Sequence, residues 1–364
     1  MSDDKDILGH KIINLHAELM AAFPELSRMA VAIYDRESDL LKTFLNSTKN
    51  HQPLQNYSAH LSNIPSLKAL ADARQTRVID DILDFEDSTS PHTRWLIDEG
   101  FRSSYTVPMY GHEHLVGFLF FDADQPRYFD RILIKSLNVY AELITSVLKS
   151  ELSTIYTLRG ALNTARLLTH HRDNETALHL TRMSHYSYLI AQKLSAKLGL
   201  SDEFNEFILR YSPLHDIGKI GISDQILLKP GRLTAQEFET IKSHVGIGVQ
   251  MIESILNEFD LGDMSNLSIL RNIIGGHHEK YDGSGYPHGL AQEAIPLEAR
   301  IVAVADVLDA LSHPRPYKPA WSFDEAVDFI IAQTGSHFDP LCCEILANHR
   351  EAFREIYQAF RETS

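Results

Sequence analysis

The sequence predicts a two-domain chain, an α+β N-terminal domain joined by a long helix to an all-α C-terminal domain. Three observations predict it. At 364 residues the chain exceeds what one ordinary domain needs. Its first third alternates short apolar runs with turn residues, the pattern of mixed strands and helices. Beyond residue 128 apolar residues recur in steps of three and four, the pattern of helices. These shifts place the expected domain boundaries at 1–127, 128–170 and 171–364.

In the N-terminal part, Ile12 to Phe23 has helical spacing. Met29 to Tyr34 and Leu40 to Leu45 read as strands around a turn at 35–38. Ile64 to Ala73 reads as helix, Arg77 to Ile82 as extended chain, and Thr93 to Gly100 as helix. Ser103 to Tyr110 and Leu115 to Asp122 read as two further strands around a polar turn at 111–114. His112 and His114 in that turn are read as exposed residues rather than ligands. This order resembles a GAF-type sensor domain, an antiparallel sheet flanked by helices. The resemblance implies a regulatory domain with a pocket for a small ligand, which nothing in the sequence names.

Residues 129–170 hold no strong helix breaker except Gly160. Leu137, Ala141, Ile144, Leu148, Leu152, Ile155, Leu158, Leu162 and Ala165 form one apolar seam, close to a coiled-coil repeat. Two readings stay open, a helix packed on its own domain and the seam of a homodimer. In both it is the signalling connector. From about Asp173 onward the pattern is helical, interrupted at Pro213, at Pro230 and Gly231, at 282–289 and at 314–319.

Composition narrows the class. Apolar residues at 44% and charged residues at 23% are those of a soluble globular protein. The start is polar, so no secretory signal is expected. The strongest apolar run, Leu115 to Phe121, is far too short to span a membrane. A cytoplasmic protein is the expectation. The two cysteines, Cys342 and Cys343, are adjacent; they make no disulfide framework and are read as small buried residues on a helix. The net charge of −15 excludes a broad basic surface for polymeric nucleic acid. A site for an anionic substrate would have to draw positive charge from metal ions and a few placed Lys or Arg.

The C-terminal part carries a spaced set of imidazoles and carboxylates. Glu175 and His179 are four apart, on one face of a helix. His215 and Asp216 follow, then His244, then His277 and His278. Asp306 lies in an apolar stretch where an unpaired carboxylate would be costly to bury. Each piece alone has a plain structural reading, as a solvated face, a cap or a salt-bridge partner. Together, the eight are too many for one ion and suit two or three. Mixed imidazole and carboxylate ligands suit Fe, Mn, Zn, Co or Ni. Two ions about 3.5–4 Å apart can share a hydroxide and clamp the attacking and leaving oxygens of a phosphodiester.

The motifs around these residues resemble the HD-GYP family, the cyclic-dinucleotide phosphodiesterase branch of the HD superfamily. They are His-Asp-Ile-Gly-Lys (215–219), Lys-Pro-Gly-Arg-Leu-Thr (229–234), His244, His-His-Glu-Lys-Tyr-Asp-Gly-Ser-Gly-Tyr-Pro (277–287), Ile-Pro-Leu-Glu-Ala-Arg-Ile (295–301), Asp306 and Arg-Pro-Tyr-Lys (315–318). The resemblance covers roughly residues 170–345. It implies metal ligation by His179, His215, Asp216, His244, His277, His278 and Asp306, with Glu175 as the carboxylate of a third metal. It implies that Lys219 contacts the scissile phosphate, and that Arg315 and Lys318 bind phosphate or guanine. It gives Tyr286, in the loop Gly285, Tyr286, Pro287, a structural or partner-directed role.

Three departures stand out. Ser223 replaces a common proline and Gln292 a common glycine, and the segment 257–268 is long and acidic. None removes a ligand. The resemblance implies hydrolysis of cyclic di-GMP to pGpG, and onward to GMP, with iron or manganese as the metals. Hydrolysis of 3′,3′-cyclic GMP-AMP is an alternative. A general nucleotide phosphohydrolase fits less well, given the intact 277–287 loop with Arg315 and Lys318. An idle nucleotide-binding scaffold is the reading from another class, and the complete ligand set argues against it.

Overall fold

The computed structural model describes residues 7–36, 38–49, 51–88, 90–111, 114–168, 177–259, 261–262, 266–313 and 320–360. The chain forms two compact units, Met1–Thr154 with Ser201–Glu203, and Ile155–Leu200 with Phe204–Ser364.

The first unit runs α1 (Ile7–Ala22), β1 (Leu26–Asp35), β2 (Leu40–Thr48), β3 (Ser58–His60), α2 (Pro65–Ala73), β4 (Arg77–Ile79), α3 (Pro91–Asp98), β5 (Ser103–Gly111) and β6 (His114–Ala123), and ends in the first part of α4 (Arg131–Leu168). The strand order is β3-β2-β1-β6-β5-β4, with every neighbouring pair antiparallel. The expected antiparallel sheet with flanking helices is therefore present. Two details differ from expectation. Strand β3 is three polar or small residues at a sheet edge, with no apolar alternation to announce it. The extended stretch expected to Ile82 leaves the sheet at Ile79, and Ile82 opens a single 3₁₀ turn instead.

Strand alternation divides the side chains of this sheet. Met29, Val31 and Ile33 of β1, Tyr105 of β5 and Leu119 and Phe121 of β6 face one core, with Leu19 of α1. Into that core α4 inserts Leu133, Leu137, Ala141, Ile144, Leu148 and Leu152. Burying each large side chain contributes about 1.5–3 kcal/mol, which holds this part of α4 on the sheet. Up to Leu152, then, the apolar seam packs on its own unit. The other sheet face carries Ala30, Ala32, Phe118 and Phe120. It also carries a buried ion pair between Arg28 and Asp122, which stand opposite each other on β1 and β6.

The remaining chain is helical: α5 (Ala177–Leu198), α6 (Asp202–Tyr211), α7 (Asp224–Leu227), α8 (Ala235–Lys242), α9 (His244–Glu258), α10 (Leu267–Gly276), α11 (Leu297–Ser312), α12 (Phe323–Ala332), α13 (Pro340–Asn348) and α14 (Arg350–Ala359). Its starts are written locally. Thr234 with Glu237 and Ser322 with Glu325 form capping boxes on α8 and α12. Pro340 opens α13 under an Asp339 cap. Helix α5 is buried along most of its length, with Met183, Tyr186, Ile190 and Leu194 packed in a core shared with Ile301, Val304, Ala305 and Leu308 of α11. Cys342 and Cys343 are buried on α13, as expected. Among the described residues no helix is long and apolar enough to cross a membrane.

Between α6 and α7 the chain makes two 3₁₀ turns, Ser212–Leu214 and Ile217–Gly221, with His215 and Asp216 between them. The second turn lies directly on the start of α9. A Cβ on Gly218 would stand 1.8 Å from the His244 carbonyl oxygen and 2.5 Å from the Gly248 nitrogen. Only glycine lets these two backbones meet. Gly218→Ala should therefore lower stability by about 1–3 kcal/mol and push His244 away from Asp216. Thermal unfolding checks the first effect and metal content the second; a variant equal to wild type in both would refute the contact.

Candidate metal centre

Two short turns and four helices bring seven of the eight expected ligands together. His179 comes from α5, His215 and Asp216 from the 3₁₀ turns, His244 from the first position of α9. His277 caps the end of α10, His278 follows it, and Asp306 lies on α11. They fall into two groups, Asp216 with His244, His277 and His278, and His179 with His215 and Asp306. Within each group the ligand atoms lie within 4.8 Å of one another. Glu175, Arg315 and Lys318 lie outside the described residues, as does His112. His114 is exposed at the start of β6.

Asp216 joins the groups. Its Oδ1 lies 3.0 Å from His244 Nε2 and 3.6 Å from His277 Nε2. Its Oδ2 lies 3.2 Å from His215 Nε2. In the second group Asp306 Oδ1 is 3.8 Å from His179 Nε2 and 3.9 Å from His215 Nε2. Ligand atoms each about 2.1 Å from one ion stand roughly 3–4 Å apart, and these distances fall in that range. A carboxylate with one oxygen toward each group is the geometry of a bridge between two ions.

The histidines are held so that one particular nitrogen faces inward. His215 Nδ1 meets the Ser212 carbonyl at 3.0 Å, His244 Nδ1 the Ile241 carbonyl at 2.7 Å, and His277 Nδ1 the Ile273 carbonyl at 3.0 Å. Each carbonyl is three or four residues back, so the local helical turn itself supplies it. With Nδ1 donating, Nε2 is left as the lone-pair nitrogen. His244 Nε2, His277 Nε2 and Asp216 Oδ1 are buried with no protein hydrogen-bond partner, despite their mutual proximity. Buried acceptors converging on one point without hydrogen bonds are what a cation requires, and the residues fit a metal centre on that observation.

His179 is held differently. Its Nδ1 lies 2.7 Å from Asp309 Oδ2, and Arg182 holds the same carboxylate at 2.6 and 3.0 Å. His179 with Arg182 on α5 and Asp306 with Asp309 on α11 are i, i+3 pairs on facing helices. Asp309 was not among the expected site residues. Its signal was present in the sequence, since it is a second carboxylate in the apolar run around Asp306.

Charge agrees with this assignment. Burial alone would raise the Asp216 carboxyl, but Lys219, 2.7 Å away, and His215 outweigh it and hold it well below the usual range. Burial would likewise raise Asp309, yet His179 and Arg182 hold it below its ordinary value. Burial lowers His277, and burial with the adjacent His277 lowers His278 well below the ordinary imidazole value. Asp216 is thus held charged and His277 and His278 neutral, the protonation states that ligands need.

The loop after His278 forms the rim. Buried Glu279 accepts from the backbone nitrogens of His288 at 2.7 Å and Leu290 at 3.1 Å, closing the loop. A Cβ on Gly285 would lie 2.2 Å from the Lys280 nitrogen, so glycine is required there. The closed loop stacks Tyr286 on His278, centroids 4.7 Å apart. Half-exposed Phe238 of α8 lies edge-on to Tyr286, and Lys242 Nζ stands 5.0 Å from the Phe238 ring and 5.5 Å from the Tyr286 ring. Sequence reading missed this aromatic ledge, because Phe238 and Lys242 reach Tyr286 only through the fold. Gln292, in place of a common glycine, has φ 53°, the left-handed region glycine favours. The long segment 257–268 is the end of α9, a short link and the start of α10, and residues 260 and 263–265 lie outside the described set.

Comparison with known proteins matches residues 171–341 to the HD domain family. This part of the chain is similar to HD domains over those 171 residues. The cyclic di-GMP phosphodiesterase response regulator RpfG of Xanthomonas campestris pv. campestris is 46% identical over 194 residues, covering 53% of this chain and 48% of that protein. The 3′3′-cGAMP-specific phosphodiesterase 2 of Vibrio cholerae serotype O1 is 38% identical over 182 residues, covering 50% of this chain and 33% of that protein. The chain spans about half the length, or less, of the curated relatives it matches. In the N-terminal part, the PixJ GAF domain of Thermosynechococcus elongatus aligns with 44% of this chain and 94% of its own, at 20% identity and a TM-score of 0.35.

The Asp309 contact gives a test. Asp309→Asn keeps the shape but removes the charge that orients His179 and balances Arg182. Metal affinity should fall about 10–100-fold while circular dichroism stays that of wild type. Unchanged affinity in a metal titration would show that His179 needs no such support.

Proposed function

We propose that this chain hydrolyses a cyclic dinucleotide, cyclic di-GMP first, to linear pGpG and onward to GMP. One observation carries the reading: the Asp216 carboxylate stands between two groups of inward-facing ligand atoms. The HD domain and the phosphodiesterase relatives support it. Iron or manganese suits the ligand set, with nickel, cobalt and zinc as further candidates. When bound, the metals supply a water of lowered pKa and neutralise phosphate charge.

The remaining roles belong to the chain. His179, His215, His244, His277 and His278 present imidazole nitrogens, and Asp306 and Asp216 present carboxylate oxygens. Asp216 holds Lys219, whose ammonium is placed to meet an oxygen of the scissile phosphate. Phe238 and Tyr286 offer ring faces for a purine, and Lys242 adds positive charge above them. Arg315 and Lys318 as phosphate or guanine contacts, and Glu175 as ligand to a third metal, belong to the same proposal. Hydrolysis of 3′,3′-cyclic GMP-AMP is the second reading, supported by the relative specific for it.

The proposal extends to the whole chain. The N-terminal unit regulates through α4, and the chain pairs with a second copy. Support for pairing is the outer side of α4, where Ile132, Val139 and Leu143 are 77%, 66% and 47% exposed. They recur seven and four residues apart, on one stripe. Val139→Glu with Leu143→Glu should turn a dimer into a monomer in light scattering; wild type already monomeric would end that part. A cytoplasmic place of action is supported by the two unpaired, buried cysteines.

The central test incubates the full chain, loaded with Fe(II) or Mn(II), with each dinucleotide in parallel. Cyclic di-GMP should be consumed. Chelation, or His215→Ala with Asp216→Ala, should abolish turnover with the helical content intact. Metal-loaded protein that consumes neither dinucleotide would sink the proposal. Phe238→Ala should raise KM about tenfold, for a stacking contact of about 1–3 kcal/mol, and leave kcat nearly unchanged.

A further inference from the structure

The N-terminal unit encloses a cavity of about 710 Å³ between the sheet face away from α4 and the segments that carry α2 and α3. That volume falls in the range of small-molecule sites. Its charge is unlike that of the chain. Arg28, Lys42 and Arg77 line it, and no acidic residue does among the described residues, in a protein of net charge −15.

The cations are not placed at random. Arg77 on β4 stands opposite Thr106 on β5, Thr106 opposite Phe120 on β6, and Phe120 opposite Ala30 on β1. One row across one sheet face thus reads guanidinium, hydroxyl, ring, methyl. Arg28 lies on the same face, ion-paired to Asp122. Arg77 has no carboxylate partner among the described residues. Arg77 Nε, Arg28 Nε and Thr106 Oγ1 are buried without a protein hydrogen-bond partner. Buried donors left unmatched are costly, and a ligand that matches them recovers that cost.

The rest of the lining is aromatic and aliphatic. The His92 ring lies 5.5 Å from Phe120, with Tyr57 beyond it at 6.3 Å. Burial, then the charges of Arg28 and Arg77, hold His92 down at about 3, so its ring is neutral and free to stack. Leu41, Ile64 and Leu96 complete an apolar wall.

We propose that this cavity binds a small aromatic oxyanion, a carboxylate or phosphate carried on a planar ring. The anion sits on Arg77, Thr106 and the outer edge of Arg28, and the ring lies against the His92 and Phe120 side chains that line the cavity. The site is independent of the metal centre and of the reaction proposed there.

The chain has two tryptophans, and Trp95 lies 4.9 Å under the Arg28 guanidinium. Trp321→Phe therefore leaves one reporter beside the cavity. The full-length variant is titrated with biphenyl-4-carboxylate, with biphenyl-4-yl phosphate and with the neutral biphenyl-4-carboxamide, by calorimetry and Trp95 fluorescence. At least one anion should bind once per chain, at least tenfold more tightly than the amide, and shift Trp95 emission. Which anion binds more tightly separates a carboxylate ligand from a phosphate ligand. Arg77→Met and, separately, Thr106→Val should weaken the anion tenfold or more and leave the amide unchanged. Arg77 is only half-buried and Val matches Thr in shape, so at least one variant should keep the wild-type melting curve. The proposal is overturned if the amide equals the anions, if binding leaves Trp95 unmoved, if inorganic phosphate binds as well as the ring-bearing anions, or if a folded variant binds like wild type.

Discussion

The second unit depends on one carboxylate. Asp216 is nearly buried, and its two oxygens face two different sets of imidazole nitrogens. A buried charge of this kind is tolerated only with compensation, and Lys219 supplies part of it. The structure around it consists of devices that keep the carboxylate and its partners at fixed separation. Two 3₁₀ turns set His215 and Asp216 side by side with their side chains toward different groups. A missing side chain at Gly218 lets α9 deliver His244 from the far side. Loosening any of these would separate ligand atoms without unfolding the helices that carry them.

A second constraint concerns which nitrogen each histidine presents. Three of the rings use backbone carbonyls a turn earlier, so the choice of Nε2 follows from helical geometry. His179, near the start of α5, is held by a buried Asp309–Arg182 pair from the two facing helices. The interior of the α5–α11 packing is therefore both core and ligand support. Asp309 is matched to both Arg182 and His179 Nδ1, which keeps this buried ion pair from being a liability.

Much of this was legible in the sequence. Seven candidate ligands stood at readable spacings, because metal ligation requires particular residue types and the turns that aim them carry Pro213, Gly218 and Gly276. The main strands of the first unit were legible as short apolar runs set off by turn residues, and they are buried on both faces. What stayed hidden depends on tertiary approach. Asp309 resembles any carboxylate on a helix until His179 is placed over it. Phe238 and Lys242 sit on a helix with a polar surface pattern, and only the closed 277–287 loop brings Tyr286 to them. Strand β3 is too short and too polar to have a pattern. The seam of α4 had the period of a coiled coil, and period alone cannot tell a partner helix from a sheet of the same unit.

The two units handle charge in opposite ways, and the difference follows from what each contains. The second unit concentrates carboxylates at its centre, which would repel a phosphodiester unless cations occupy the site; its attraction for an anion is conditional on metal. The first unit buries guanidinium groups on a sheet face with no acid lining the space before them, so its attraction for an anion is built into the chain. In a protein of net charge −15 the surrounding field disfavours both sites. An anionic ligand can be selected only where burial cuts off that field and local donors face inward. Both sites meet that condition, one through imidazoles and aspartates that wait for metal, the other through arginines already in place.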